Sequence, residues 1–225
     1  MERLLHKKAV IFDLDGTIID SFEVYYADIN EIFHRVGLPG VSRDRIKQIL
    51  KMGKSPWEVL IPQDTPDRGT FINKCREIDG EIFLPLYRKI ACLFPEARIV
   101  LKLLYEMGLK LGAVTSGWEE EGEIRGLLAK GGVLEFLDTI VTRFDITRLK
   151  PAPDPLIECC KRLDVHPIES VYVGDAPTDI QAGRAAKMAT IGVLTGVGTR
   201  KDFLIEKADA VIENLSKLTA IIIAN

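Results

Sequence analysis

The chain has 225 residues, with 30 lysines and arginines against 33 aspartates and glutamates, and a formal net charge of -3. Hydrophobic residues make up 47% and charged residues 28%, a balance typical of soluble globular proteins that excludes a largely disordered or low-complexity chain. The slight excess of acidic residues argues against the basic surface by which proteins usually bind nucleic acid.

Neither the ends of the chain nor its cysteines indicate secretion or membrane insertion. The first residues lack the apolar segment of a signal peptide, and no apolar run approaches the roughly 20 residues of a membrane helix. The cysteines fit neither a disulfide framework nor a paired metal site: they are Cys75, Cys92, Cys159 and Cys160. We therefore expect a cytoplasmic protein, monomer or homodimer, without nucleic-acid or membrane partners.

Short, unbroken apolar runs predict strands that are buried on both faces, as in a parallel sheet. The first run, Ala9 to Phe12, is followed by two aspartates and a glycine. Five later runs resemble it: Leu109 to Val114, Thr139 to Val141, Ser170 to Val173, Ala189 to Val193 and, more weakly, Ala210 to Ile212. Helical patterns separate these later runs, one of them from Asp179 to Met188. This alternation predicts an α/β fold, a Rossmann-like parallel sheet with helices on both faces.

The stretch from about Phe22 to Phe94 interrupts this alternation. It has apolar residues at helical spacing but no convincing strand. We predict a small all-helical cap domain at residues 21–94, inserted into a catalytic core of residues 1–20 and 95–225. The alternative is a set of extra helices packed on the core.

Carboxylate, hydroxyl and ammonium groups follow several of the predicted strands. Asp13 and Asp15 come after the first strand, and Asp175 and Asp179 after the strand that begins at Ser170. Thr115, Ser116 and Lys150 lie between these two acidic pairs. Because ligands bind at the carboxyl edge of such sheets, we expect these groups to meet in one site.

Four segments together resemble the motifs of the haloacid dehalogenase superfamily of phosphohydrolases, closest to its phosphoglycolate phosphatase and phosphomutase group. The segments occur in the family order and span nearly the whole chain: they are residues 12–17 (FDLDGT), 114–116 (VTS), 150–153 (KPAP) and 174–179 (GDAPTD). The resemblance implies a Mg²⁺-dependent phosphatase that acts on a small phosphorylated metabolite, with 2-phosphoglycolate as the first candidate.

The resemblance also implies a role for each residue. Asp13 would be the nucleophile that forms an aspartyl-phosphate, and Asp15 the general acid and then the general base. Thr115, Ser116 and Lys150 would hold the phosphoryl group. Mg²⁺ would be held by the side chains of Asp13 and Asp175 and the backbone carbonyl of Asp15, with Asp179 supporting a metal-bound water or orienting Lys150.

Two further signals concern charge near the substrate. Three acids, Glu119 to Glu121, follow the second motif, and we expect their side chains to point away from an anionic ligand. Lys54 lies in the predicted cap, where it could contact a second acidic group of the substrate or belong to a solvated loop. Trp118 could line the entrance.

Three other functions compete with a phosphatase. A sugar phosphomutase of the same superfamily would use the same residues, although Thr17 after Gly16 favours a phosphatase. Haloacid dehalogenation is disfavoured because its relatives lack the second acid, which is present here as Asp15. A non-catalytic binding or regulatory relative is disfavoured because every residue of the mechanism is present.

Overall fold

The structure, a computed structural model, describes Leu4 and residues 6–223, without the Ile223 side chain. The expectation that no signal peptide is present concerns the first residues of the chain, which lie largely outside the described residues. The chain divides into two compact units, Met1–Asp20 with Cys92–Asn225, and Ser21–Ala91. None of the described helices combines the length and apolar character needed to cross a bilayer.

A six-stranded parallel sheet forms the centre of the first unit. Its strands are β1 (Ala9–Asp13), β4 (Lys110–Val114), β5 (Thr139–Val141), β6 (Ser170–Gly174), β7 (Ala189–Val193) and β8 (Ala210–Ile212). The order across the sheet is β5-β4-β1-β6-β7-β8, and every neighbouring pair is parallel. The predicted α/β class is confirmed, and each of the six apolar runs forms a strand.

The central strand is covered on both faces, which explains its unbroken apolar sequence. Ala9 and Ile11 belong to one core cluster with residues of two helices, α7 (Asp154–Leu163) and α8 (Pro177–Ala185). Val10 and Phe12 are also fully buried, although alternation along a strand directs them to the opposite face. Both faces of β1 therefore exclude water.

Further helices belong to this unit. They are α5 (Ala97–Glu106), α6 (Glu121–Lys130), α9 (Arg200–Ile205) and α10 (Leu218–Ile223). Helix α8 begins two residues before the predicted start at Asp179 and ends three residues before Met188. The early start reflects Pro177, because proline at the first turn of a helix loses no hydrogen bond.

A two-stranded antiparallel ribbon corrects the prediction that no strand lies between Phe22 and Phe94. Strand β2 (Ile19–Asp20) pairs with β3 (Cys92–Leu93). The two strands are separated by about 70 residues of sequence and have only two residues each, too short for a period to be recognised. Because the ribbon holds residues 92–93 to the first unit, the boundary falls after Ala91 rather than after Phe94.

The second unit is entirely helical within Ser21–Ala91. It contains α1 (Phe22–Arg35), α2 (Arg43–Lys51), α3 (Pro56–Leu60) and the long α4 (Arg68–Ile90). The helices pack around a separate apolar core that consists of Ile29, Ile32, Phe33, Ile46, Trp57, Ile61, Ile72 and Cys75. Whether this unit acts as a cap stays a prediction.

Two carboxyl groups interact with each other inside the helical unit. Asp28 on α1 is buried, and its carboxyl interacts with that of Asp79 on α4. Burial, with a further contribution from Asp79, raises the pKa of Asp28 to about 8. Burial also raises the pKa of Asp79, against hydrogen bonds from Asp28 and Trp57. The folded pair therefore keeps a proton well above the pH at which the unfolded chain releases it.

We expect this pair to make the protein less stable as the pH rises from about 5 to 8.5. An unfolded aspartate ionises near pH 4, so over this range the folded state binds more protons and loses stability with rising pH. Asp28→Asn cannot ionise and can still donate to Asp79. We expect the variant to match the wild type near pH 5 and to exceed it by about 1–3 kcal/mol near pH 8.5. Denaturant unfolding followed by circular dichroism measures both.

The control for this experiment is Asp64→Asn, which changes an exposed aspartate of the same unit. It should reproduce the wild-type pH dependence. An Asp28→Asn protein whose stability changes with pH as steeply as that of the wild type would contradict the shared proton.

Candidate active site

The carboxyl edge of the parallel sheet collects the polar groups that the sequence singled out. Asp13 is the last residue of β1, Thr115 follows β4, and Asp175 follows β6. These three strands are adjacent in the sheet, so their ends lie side by side. All three residues are buried, which is unusual for aspartate and indicates specific partners.

Lys150 is at the centre of this group. Its ammonium donates to Asp13 Oδ1 at 2.5 Å, to Asp179 Oδ1 at 2.7 Å and to the Tyr172 hydroxyl at 3.1 Å. Burial by itself would lower the pKa of Lys150, but Asp13 and Asp179 raise it well above its usual range. The side chain therefore remains a cation, held by three oxygens in a mostly buried position.

Asp179 has both carboxylate oxygens engaged within the protein. Oδ1 accepts from Lys150 and from the Tyr172 hydroxyl at 3.0 Å, and Oδ2 accepts from the backbone N–H of Ala176 at 2.9 Å. The second bond closes the first turn of α8, where an acid also suits the helix dipole. Asp179 thus fixes the lysine and the start of the helix at once.

The loop after β7 contacts Asp175 through backbone N–H groups. The N–H of Val197 donates to Asp175 Oδ2 at 2.8 Å, and the N–H of Gly198 donates to its backbone carbonyl at 2.8 Å. The same loop reaches the first motif, since the Thr195 hydroxyl donates to the Gly16 carbonyl at 2.7 Å. This loop therefore fixes one oxygen of Asp175 and the turn that follows Asp15.

The backbone at position 16 requires a glycine. Its φ of +79° lies in the left-handed region, and an added Cβ would lie 2.5 Å from Asp175 Oδ2. Only glycine lets the chain turn after Asp15 while the backbone passes this close to a second carboxylate.

The acidic groups at this edge suit a divalent cation. Carboxylate oxygens of Asp13, Asp175 and Asp179 all lie within 4.8 Å of one another. Among the described residues, Lys150 provides the ammonium group that contacts this cluster. Burial, reinforced by Asp179 and Asp175 and opposed by Lys150, raises the pKa of Asp13 well above its usual range. Burial and Asp179 raise the pKa of Asp175 to about 7. A hard cation with oxygen ligands would relieve this excess of negative charge.

The second motif forms a tight turn beside Asp15. Thr115 Oγ1 accepts from the N–H of Gly117 at 2.9 Å and lies 3.4 Å from Asp15 Oδ2, to which it donates. Ser116 Oγ is buried and forms no hydrogen bond with the described residues. The turn therefore presents a hydroxyl and backbone groups next to the proposed general acid.

The expectation that Glu119 to Glu121 point away from the site is wrong for Glu119. Its side chain is buried and folds back over the turn, so that a Cβ on Gly117 would lie 1.9 Å from Glu119 Oε2. Burial and the proximity of Asp15 raise the pKa of Glu119 to about 8. At neutral pH the carboxyl is therefore mostly protonated, which removes the repulsion on which the expectation rested. Glu120 is exposed, as expected.

Three polar residues of the site were not predicted from the sequence. Tyr172 lies within the apolar run of β6, Thr195 follows β7, and Arg143 follows β5. Thr195 and Arg143 each lie two residues after the end of a strand, so the rule that polar groups gather at strand ends also applies to them. Tyr172 gave no such signal, because aromatic residues are common in buried strands.

Lys54 belongs to the helical unit. There it lines a shallow groove with residues of α3 and α4, among them Glu58, Arg68 and Arg76. Its contact with substrate stays a prediction.

The fold and the site together define a class of enzyme. A parallel sheet with an aspartate at the end of its first strand, a buried lysine against that aspartate and a further acidic pair after another strand is the arrangement expected of the phosphohydrolases that the motifs resemble. The model of the haloacid dehalogenase-like hydrolase family matches residues 10–193. The chain belongs to this family and is a hydrolase.

Individual relatives are similar over nearly their whole length. A Clostridium perfringens protein named as a candidate pyrophosphatase is 30% identical and is aligned over 95% of this chain and 99% of its own. The phosphoglycolate phosphatase of Salmonella typhimurium is 25% identical, over 97% of this chain and 93% of its own. Among solved structures, a candidate phosphoglycolate phosphatase from Lactobacillus delbrueckii subsp. bulgaricus superposes with a TM-score of 0.81 at 25% identity, covering 96% and 99% of the two chains.

Proposed function

We propose that the protein is a Mg²⁺-dependent phosphatase that hydrolyses a small phosphate monoester through an aspartyl-phosphate, with 2-phosphoglycolate as the first candidate substrate. The observation that supports this most strongly is the contact of Asp13 with Lys150 beside Asp175 at the carboxyl edge of the sheet. The names of the relatives support the substrate class, since one is a phosphoglycolate phosphatase.

The first step is attack by Asp13 on phosphorus. Lys150 binds Oδ1, so the other carboxylate oxygen is available to form the new O–P bond. As that bond forms, the bond from phosphorus to the ester oxygen breaks. The departing oxygen takes the carboxyl proton of Asp15, which follows β1 and lies beside Thr115 of the second motif.

The second step releases phosphate. Asp15, now a carboxylate, accepts a proton from water while the water oxygen attacks phosphorus. The bond between phosphorus and Asp13 breaks, which regenerates both aspartates and yields inorganic phosphate.

Positive charge and hydrogen-bond donors hold the transferred group. Lys150 supplies the charge, and Thr115 and Ser116 supply hydroxyls, of which Ser116 Oγ has no partner among the described residues. We assign Asp179 to the orientation of Lys150 rather than to a metal-bound water, because both of its oxygens already accept hydrogen bonds.

Mg²⁺ would be held by the side chains of Asp13 and Asp175 and the backbone carbonyl of Asp15. When bound, it supplies charge that offsets the negative phosphoryl group as a carboxylate approaches. We further propose that the helical unit is the cap of the enzyme, with Lys54 as a candidate contact for a second acidic group of the substrate.

The test is release of inorganic phosphate from a panel of 2-phosphoglycolate, sugar phosphates, nucleotides and pyrophosphate. We expect release with Mg²⁺, concentrated on one small compound, and none after chelation, because the clustered carboxylates of Asp13, Asp175 and Asp179 repel a phosphate group unless further positive charge is bound. Isomerisation of a sugar phosphate without net phosphate release would replace the proposal by a mutase. Binding of Mg²⁺ without turnover of any compound would contradict catalysis.

A further inference from the structure

Arg143 lies beside the second motif and is held rigidly there. It follows β5 in a short turn, in which Asp145 Oδ2 accepts from the backbone N–H and the hydroxyl of Thr142, both at 2.8 Å. Asp145 Oδ1 in turn accepts from Arg162 at 2.7 Å. The backbone that presents Arg143 is therefore anchored on both sides of its side chain.

The guanidinium of Arg143 is oriented by two contacts. Its Cζ lies 3.2 Å from the ring centre of Trp118, and Nη1 donates to the backbone carbonyl of Ser116 at 3.2 Å. Ser116 is adjacent to Thr115, which contacts Asp15. The guanidinium is thus placed at the turn that we expect to hold the phosphoryl group, and the same turn contacts Asp15, the proposed proton donor to the leaving oxygen.

Most of the hydrogen-bonding capacity of Arg143 is unused. Within the described part of the chain it forms no ion pair, whereas Arg125, Arg148 and Arg162 of the same unit each pair with a carboxylate. A guanidinium has five N–H donors, and one of them is used here. It is less strongly hydrated than an ammonium and suits the paired oxygens of a carboxylate or phosphate.

Glu119 does not occupy this guanidinium. Neither of its carboxyl oxygens has a hydrogen-bond partner among the described residues, and the hydrogen bond of Arg143 goes to Ser116. Burial and the proximity of Asp15 also raise the pKa of the Glu119 carboxyl to about 8. Trp118, 67% exposed, leaves the approach to the guanidinium open within this unit.

We propose that Arg143 is a specificity-determining residue that binds a second anionic group, carboxylate or phosphate, on the leaving side of the substrate. The inference rests on the proposed phosphatase function and refines its substrate class. It requires that substrates with such a group gain transition-state stabilisation that a neutral ester of the same size lacks.

The test compares two-carbon phosphate esters that differ in their far end. In 2-phosphoglycolate this end is a carboxylate, and in ethylene glycol monophosphate it is a hydroxyl; pyrophosphate supplies the phosphate alternative. We expect Arg143→Gln to lower kcat/KM by about 10- to 100-fold for the anionic substrate that the wild type prefers, because a charge-assisted hydrogen bond is lost. For the neutral ester we expect a change below about threefold, and Arg143→Lys should recover part of the selectivity.

Arg125→Gln is the matched control, because it removes an exposed arginine from α6 of the same unit. It should leave both rates unchanged. An equal loss on charged and neutral esters would mean that Arg143 only supports the Ser116 backbone, and no loss would exclude a role. Either result overturns this inference but does not contradict the proposed phosphatase function. The same holds if the wild type shows no preference for the charged ester. A wild type that releases phosphate from none of these compounds overturns both.

Discussion

Asp13→Asn is expected to abolish phosphate release while the protein remains folded. The amide has no negative charge with which to attack phosphorus. Asp13 is the carboxylate that ends β1 and contacts Lys150, so its exchange removes the proposed nucleophile from this position. Loss of a nucleophile typically lowers kcat by about 10⁴-fold or more. Steady-state phosphate release measures the rate, and mass spectrometry after rapid acid quenching detects the phosphorylated peptide that contains Asp13 in the wild type.

Asp164→Asn provides the matched control for this variant. Asp164 is exposed and has a φ of +52°, a conformation that asparagine adopts readily, so its exchange should change neither rate nor fold. An Asp13→Asn protein that retains a substantial fraction of wild-type activity, or a phosphorylated peptide that does not contain Asp13, would remove the nucleophile assignment.

Lys150→Met is expected to lose both activity and stability. The methionine has similar length but no charge, so Asp13 and Asp179 lose their shared ammonium in a buried site. Breaking a buried ion pair in this way typically costs about 3–5 kcal/mol. We also expect kcat/KM to fall by about 100-fold or more, because the phosphoryl group loses a charged contact. Denaturant unfolding of the metal-free protein and phosphate release measure the two effects.

The pH dependence of the Lys150→Met stability loss separates charge from packing. Lys150 lowers the pKa of Asp13, so its removal lets the folded state hold a proton on Asp13 to a higher pH. The gap in stability between wild type and variant should therefore widen with rising pH, over the range in which Asp13 ionises in the wild type and remains protonated in the variant, and narrow as the pH falls. A gap that does not change with pH would indicate lost packing instead. Lys161→Met, at a position 79% exposed, is the control and should change neither quantity.

The local sequence was sufficient to predict the six strands of the parallel sheet and most of the proposed site. Ala9 to Phe12 is unbroken and apolar because β1 is buried on both faces, and this property can be recognised without coordinates. The carboxyl edge of a parallel sheet brings strand ends together by topology, so Asp13, Thr115 and Asp175 could be expected to meet before any distance was known.

Features that depend on long-range pairing could not be predicted in this way. The β2–β3 ribbon joins two segments on either side of the helical unit, and neither segment has a recognisable period. The sequence predicts an ionised Glu119 that points outward, whereas burial raises its pKa to about 8 and the side chain folds inward. Tyr172 gives no signal in the sequence, because its hydroxyl has partners only once the fold brings Lys150 and Asp179 to it.

The sequence by itself therefore determined the class of fold, the order of the strands along the chain and the chemical groups available at their ends, since these depend on local patterns and on motif spacing. The tertiary structure decided how those groups are used. In the folded protein, both carboxylate oxygens of Asp179 accept hydrogen bonds, and the Glu119 side chain folds inward. The Arg143 guanidinium packs on the Trp118 ring beside the second motif. The physical reason is that burial, protonation and the orientation of a side chain depend on neighbours that are distant in sequence and become close only when the sheet has formed.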